Sequence, residues 1–95
     1  MTEKDYTFKN WYIPARMLGG IERYIKYGLH PGSFLTSIIT NDFKGACANA
    51  DDENLANLPA YAAYFYNEVP CGAWGSKEEM KAWMKSKRAE NITNK

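Results

Sequence analysis

The segment Pro14-Ala15-Arg16-Met17-Leu18-Gly19-Gly20-Ile21-Glu22-Arg23-Tyr24-Ile25-Lys26-Tyr27-Gly28 decides the fold class. Met17, Ile21, Tyr24 and Ile25 recur at three- and four-residue intervals, which places them on one face of an α-helix. Pro14 suits a helix start, where its missing N–H is no loss, and Gly28 can take the left-handed conformation that ends a helix. Glu22 and Lys26 have the spacing of a favourable i,i+4 pair. Gly19 and Gly20 weaken the middle of this helix by roughly 1 kcal/mol each relative to alanine, so a closely approaching neighbour or ligand is expected there.

The same reading extends in both directions. His30-Pro31-Gly32 forms a turn, Ser33 can cap, and Phe34, Leu35, Ile38 and Ile39 give the next short helix an apolar face ending near Thr40. Asn41 or Asp42 can cap a helix through Phe43, Ala46, Cys47 and Ala50, whose small side chains permit close packing. Asp51 and Asp52 interrupt it, and either can cap a helix through Leu55, Leu58, Ala62 and Phe65 toward Asn67, with Pro59 kinking or restarting it. Val69 to Gly75 reads as a loop. Ser76 with Glu79 makes a capping box for a last helix, apolar at Met80, Trp83 and Met84 and basic at Lys77, Lys81, Lys85 and Arg88. Residues 89–95 lose periodicity and are expected to fray as a flexible tail. At the other end, residues 1–13 lack a helical period, so Tyr6, Phe8, Trp11, Tyr12 and Ile13 are expected to form an extended arm laid across the domain. The expectation is one all-α domain over residues 1–95, a compact body of four to five helices with an extended N-terminal arm.

At 95 residues the buried surface only just outweighs chain entropy, and a homo-oligomer is the expected source of extra stability. An aromatic share of 15% suits a binding pocket or subunit interface. The net charge of +1 supplies no field for gripping long nucleic acid, so a small anionic ligand would need locally placed cations. Cys47 and Cys71 have neither metal-ligand spacing nor a disulfide framework and are expected to be reduced. The charged N-terminus is unlike a signal peptide, and no apolar run approaches the ~20 residues that span a bilayer. A cytoplasmic location without membrane contact is expected.

Catalysis finds little support in the residues. His30 is the only histidine and sits in a turn, where a structural role is favoured over that of a general base. Asp51, Asp52 and Glu53 lack the glycine-punctuated alternation of a calcium loop and read as a helix start, so no metal site is expected. There is no phosphate-cradling loop, and no cofactor is expected. A binding site is better supported. Trp11 and Tyr12 offer flat rings on which bases can stack, and Arg16, Arg23 and Lys26 on the following helix can neutralise phosphates. The alternative is that both rings cover the core while the cations are solvated.

The run His30-Pro-Gly-Ser-Phe-Leu-Thr-Ser-Ile-Ile-Thr-Asn-Asp-Phe-Lys-Gly-Ala-Cys-Ala-Asn-Ala-Asp-Asp-Glu-Asn, then Tyr66-Asn-Glu-Val-Pro and Gly72-Ala-Trp-Gly-Ser, resembles the anti-CBASS cyclic-nucleotide sponges of phages, whose fold is shared by one class of Thoeris anti-defence sponge. The similarity runs from about Trp11 to Trp83. The resemblance implies helical protomers assembled into hexamers, with cyclic dinucleotides at two-protomer interfaces, stacked on a tyrosine near the N-terminal arm and held at the phosphates by a lysine of the first long helix. Tyr12 and Lys26 match by local context, with Trp11 the alternative stacking residue and Arg16 and Arg23 as further cations. Cyclic trinucleotides would occupy a separate pocket built by three protomers. The loop from Asn67 through Val69 and Pro70 to Gly72 is the candidate, although it has no arginine to clamp a phosphate. The implied function is sequestration, without cleavage, of cyclic oligonucleotide messengers in the cytoplasm of an infected bacterium, which keeps CBASS-type effectors inactive. A small protein-binding inhibitor or structural accessory protein of a phage is the alternative.

Overall fold

The N-terminal arm folds back on itself. In the computed structural model, which describes residues 4–93, β1 (Tyr6–Phe8) and β2 (Trp11–Ile13) pair antiparallel, with Tyr6 opposite Ile13, Thr7 opposite Tyr12 and Phe8 opposite Trp11. The turn is Lys9-Asn10, and Lys9 accepts a positive φ of 54° to close it. Strand side chains alternate, so Tyr6, Phe8, Trp11 and Ile13 share one face while Thr7 and Tyr12 share the other. The first face packs toward the helices: Ile13 is fully buried, and Tyr6 meets Tyr64 edge to face at 4.9 Å between ring centroids. A purely helical body with a single extended arm is therefore corrected to helices plus one hairpin. Pairing satisfies strand backbone groups that a lone strand would leave to water.

Six helices follow among the described residues: α1 (Ala15–Tyr27), α2 (Ser33–Ile39), α3 (Phe43–Asn49), α4 (Asp52–Ala56), α5 (Leu58–Glu68) and α6 (Lys77–Thr93). The expected number is exceeded because the segment around Pro59 is two helices, not one. Asn57, at φ −121° and ψ 20°, ends α4, and Pro59 falls in the first turn of α5, where its lack of an N–H is harmless. The expected caps form at Asp42, which accepts from Gly45 N–H at 3.0 Å, at Asp51, from Asn54 N–H at 2.8 Å, and at Ser76, from Glu79 N–H at 3.1 Å. Ser33 does not cap. It lies inside α2, and Gly32, at φ 98°, is the N-cap, with its N–H donated to His30 Nδ1 at 3.1 Å. The tail expected from Ala89 is helical as far as Thr93, where α6 ends. A Lys87–Glu90 ion pair at 3.4 Å and an Asn91 amide bonded to the Lys87 carbonyl at 2.9 Å extend it. Residues 1–3 and 94–95 lie outside the described residues.

Ile13, Ile21, Tyr24, Ile39 and Tyr61 form the centre of the core. Two of these are phenols, and a buried hydroxyl requires a partner. Tyr24 donates to the Ala73 carbonyl and Tyr61 to Asn54 Oδ1, each at 2.6 Å. Burial pushes both phenols above the usual tyrosine range, so they act as neutral donors. The α6 helix lies along the C-terminal half of α1, where Gly28 has a φ of 69° and a Cβ would come within 2.7 Å of the Met84 carbonyl. No helix among the described residues is long and apolar enough to cross a membrane.

Candidate functional site

Strand alternation separates the two aromatic candidates. Trp11 lies on the helix-facing side of the hairpin, 36% exposed, with its ring 6.5 Å from that of Phe8 at an interplanar angle of 22°. Tyr12 lies on the opposite side, partly exposed, and meets α4. Its hydroxyl donates to Glu53 Oε2 at 2.6 Å, and its backbone N–H donates to Asn57 Oδ1 at 2.9 Å. The buried Asn57 side chain in turn donates to the Glu53 carbonyl at 2.9 Å, so one residue of β2 is tied twice to the same short stretch of α4.

Arg16, in the first turn of α1, completes this cluster. Its guanidinium reaches Glu53 Oε1 through Nη2 at 2.9 Å and Nε at 3.3 Å, and Asp51 Oδ2 at 3.0 Å. Tyr12 and Arg16 both donate to Glu53 and hold its carboxyl below the usual carboxylate range. The N–H of Asn54, and then Arg16, do the same for Asp51. The hydrogen bond to Glu53, then burial, raises the Tyr12 phenol. Asp51 and Glu53 thus serve as a helix cap and a tether. Among the described residues no His, Cys, Asp and Glu cluster has the arrangement of a metal site.

The remaining cations lie further along α1. Arg16, Gly19, Gly20, Arg23, Lys26 and Tyr27 follow helical spacing along its outward side, with Lys26 about 15 Å from Arg16 along the axis at the ordinary helical rise. Arg23 folds back over Gly19, where a Cβ would sit 3.2 Å from Nη1. Within the chain the neighbours over the two glycines are this side chain and Leu35, whose Cδ1 would be 3.8 Å from a Cβ at Gly20. Among the described residues no carboxylate is within ion-pair distance of Arg23 or Lys26, and the expected Glu22–Lys26 pair does not close. The backbone beneath Lys26 is fixed from α6. Trp83 Nε1 donates to the Ile25 carbonyl at 3.1 Å, Arg88 Nε to that of Gly28 at 3.2 Å, and the Asn91 amide to that of Lys26 at 3.4 Å. These are the carbonyls that a helix end leaves without an internal partner. Arg88 is consequently a cap for α1 and not simply part of a solvated basic face.

Of the candidates expected in the loop, Asn67 lies in the last turn of α5 and is exposed, Val69 caps that helix and is buried in the core, Pro70 is exposed, and Gly72 has a φ of 104° in open space. Asn67 also lines a groove that the sequence does not announce, with a volume of about 790 Å³, between the α2–α3 region and α5. Ile38, Phe43, Leu58, Phe65 and Tyr66 line it, together with Trp74, whose buried Nε1 has no hydrogen-bond partner among the described residues. Phe43 and Tyr66 are 73% and 76% exposed. His30 has a structural part, turning the chain into α2, and Cys47 and Cys71 are free thiols. Comparison of the chain with family models, curated proteins and solved structures gives no match.

Proposed function

We propose that this protein binds and sequesters cyclic oligonucleotides, without cleaving them, at a site shared by two copies of the chain. The observation that carries this reading is the layout of α1: an anchored aromatic, Tyr12, at its start, and near its end a lysine, Lys26, with no carboxylate partner among the described residues. About 15 Å of helix separates Arg16, beside Tyr12, from Lys26, a spacing that favours a site completed by a second copy. A two-fold axis crossing α1 near Gly19 and Gly20 would set the Tyr12 end of one copy beside the Lys26 end of the other, twice over. That repeat suits a ligand with two bases and two phosphates. Close approach of the paired helices would require Arg23 to swing off Gly19, which would free its guanidinium to supplement Lys26. The wider role, disabling CBASS-type signalling in a phage-infected cytoplasm, follows the sequence resemblance.

Calorimetry with cyclic GMP–AMP, beside light scattering of the free protein, tests this reading. Saturable binding at one ligand per two protomers, with intact nucleotide recovered after heating, is the expected result. A monomer that binds no cyclic dinucleotide overturns it, and a hydrolysed product would reassign the protein to the enzymes. A second reading, a protein-binding inhibitor, is favoured by the groove flanked by exposed Phe43 and Tyr66. Substituting those rings would abolish partner binding while leaving a nucleotide site on α1 untouched.

A further inference from the structure

We infer that Glu53 is the positioning residue of the proposed base-stacking site, and that Arg16 acts through it rather than on the ligand. This deepens the preceding proposal and rests on its use of Tyr12. A tyrosine ring on a short two-stranded hairpin has χ1 and χ2 freedom, and a stacking surface loses affinity for each rotor frozen on binding. Here the rotors are restrained beforehand. The Tyr12 hydroxyl ends on Glu53 Oε2 at 2.6 Å and so restrains the ring, while the backbone N–H of Tyr12 ends on Asn57 Oδ1 at 2.9 Å and fixes the strand beneath it, Asn57 being itself bonded to the Glu53 carbonyl. The other carboxylate oxygen of Glu53 receives Nη2 and Nε of Arg16, which fixes the direction in which Oε2 faces.

Arg16 is thereby matched by two carboxylates, Glu53 and Asp51. A phosphate approaching this guanidinium would have to displace them and would be repelled by the negative charge it released. The phosphate role passes to Arg23 and Lys26. Arg16, by holding Glu53, helps to hold the ring.

The test compares wild type with Glu53→Ala, Glu53→Gln, Tyr12→Phe and Tyr12→Phe/Glu53→Ala, each checked by melting curve. Calorimetry with cyclic GMP–AMP measures affinity, and carbon-detected NMR of the tyrosine rings follows ionisation of the Tyr12 phenol. Loss of the anchoring hydrogen bond in Glu53→Ala should weaken binding about tenfold. Glu53→Gln, which keeps an oxygen to accept the hydroxyl, should lose no more than about threefold. Tyr12→Phe should match Glu53→Ala, and the double variant should be no weaker than either, because both changes remove the same contact. In Glu53→Ala and Glu53→Gln the phenol should ionise at lower pH than in wild type. Unchanged affinity in folded Glu53→Ala, or additive losses in the double variant, overturns the positioning role. An unchanged phenol titration overturns it as well, since the contact would then be absent in solution. If wild type binds no cyclic dinucleotide yet the titration responds as described, the anchoring of the ring stands and the ligand reading falls.

Discussion

Tyr12 and Glu53 are separated by 41 positions in the chain and joined by a hydrogen bond of 2.6 Å. With the bond from the Tyr12 N–H to Asn57, it binds the hairpin to α4 on the side away from the core. The contact turns a surface tyrosine into a fixed one. It also changes what a hydroxyl deletion means. Stacking alone would make Tyr12→Phe nearly silent, whereas a ring held by its hydroxyl loses its orientation when the oxygen is removed.

The anchoring cluster should make stability depend on pH at both extremes. Glu53 and Asp51 have folded-state values below their unfolded ones, so their contribution is complete above the ordinary carboxylate range and disappears as pH falls through the depressed values. Tyr12 is shifted upward, so its contribution is present below about pH 10 and is lost as pH rises through its folded value. Asp5, Asp51 and Glu53 are the acids that act on or beside this phenol, and Arg16 is the base. Melting temperatures should form a plateau near neutrality with falls on either side. Glu53→Gln should flatten the acid side, and an unchanged acid limb in that variant would show that Glu53 is not coupled to folding.

Tyr24→Phe should be costly despite its small change in volume. The phenol is fully buried and donates to the Ala73 carbonyl at 2.6 Å, and removing the oxygen leaves that carbonyl unpaired. The expected loss is about 1–3 kcal/mol by chemical denaturation. A loss near zero would mean that water reaches the carbonyl.

Lys26→Ala should weaken cyclic-dinucleotide binding about tenfold or more without moving the melting temperature, because its side chain is exposed and makes no ion pair among the described residues. Arg23→Ala should act in the same direction, and rising salt should weaken the wild type. Calorimetry of folded variants decides the matter. If both substitutions leave affinity unchanged, α1 is not the phosphate-binding helix.

Gly20→Ala separates the protomer from the proposed assembly. A Cβ there would meet Leu35 and Arg23 at 3.8 Å, ordinary contact, so the isolated chain should gain up to about 1 kcal/mol of helix stability. If two α1 helices cross at this point, the same methyl should weaken self-association. Sedimentation across a dilution series, beside melting curves, reads both effects, and undiminished association would move the contact away from the glycines.

Much of the architecture was legible because it is written locally. Asp42, Asp51 and Ser76 are good caps in any context, and Gly28 ends α1 with the left-handed conformation its type favours. The hairpin escaped because its turn is Lys9-Asn10, not the Asn-Gly or Asp-Gly pair that signals a two-residue turn. For the candidate site, the sequence supplied Tyr12, Arg16, Arg23 and Lys26 as a set but not their grouping. The carboxylates that claim Arg16 lie 35 and 37 positions away, and no local period encodes such a meeting. The groove beside α5 was hidden for the same reason, since Phe43 and Tyr66 come from separate helices.

The three carbonyls at the end of α1 that receive Trp83, Arg88 and Asn91 make the position of Lys26 a property of the far end of the chain. Truncating α6 before Trp83, although remote in sequence from every proposed ligand-contacting residue, would release all three carbonyls and loosen the last turn of α1, whereas a change at Asn91 alone would release only that of Lys26. Loss of binding after such a change in α6 would then report a displaced cation and not a second binding surface, and restoring the three donors should restore it.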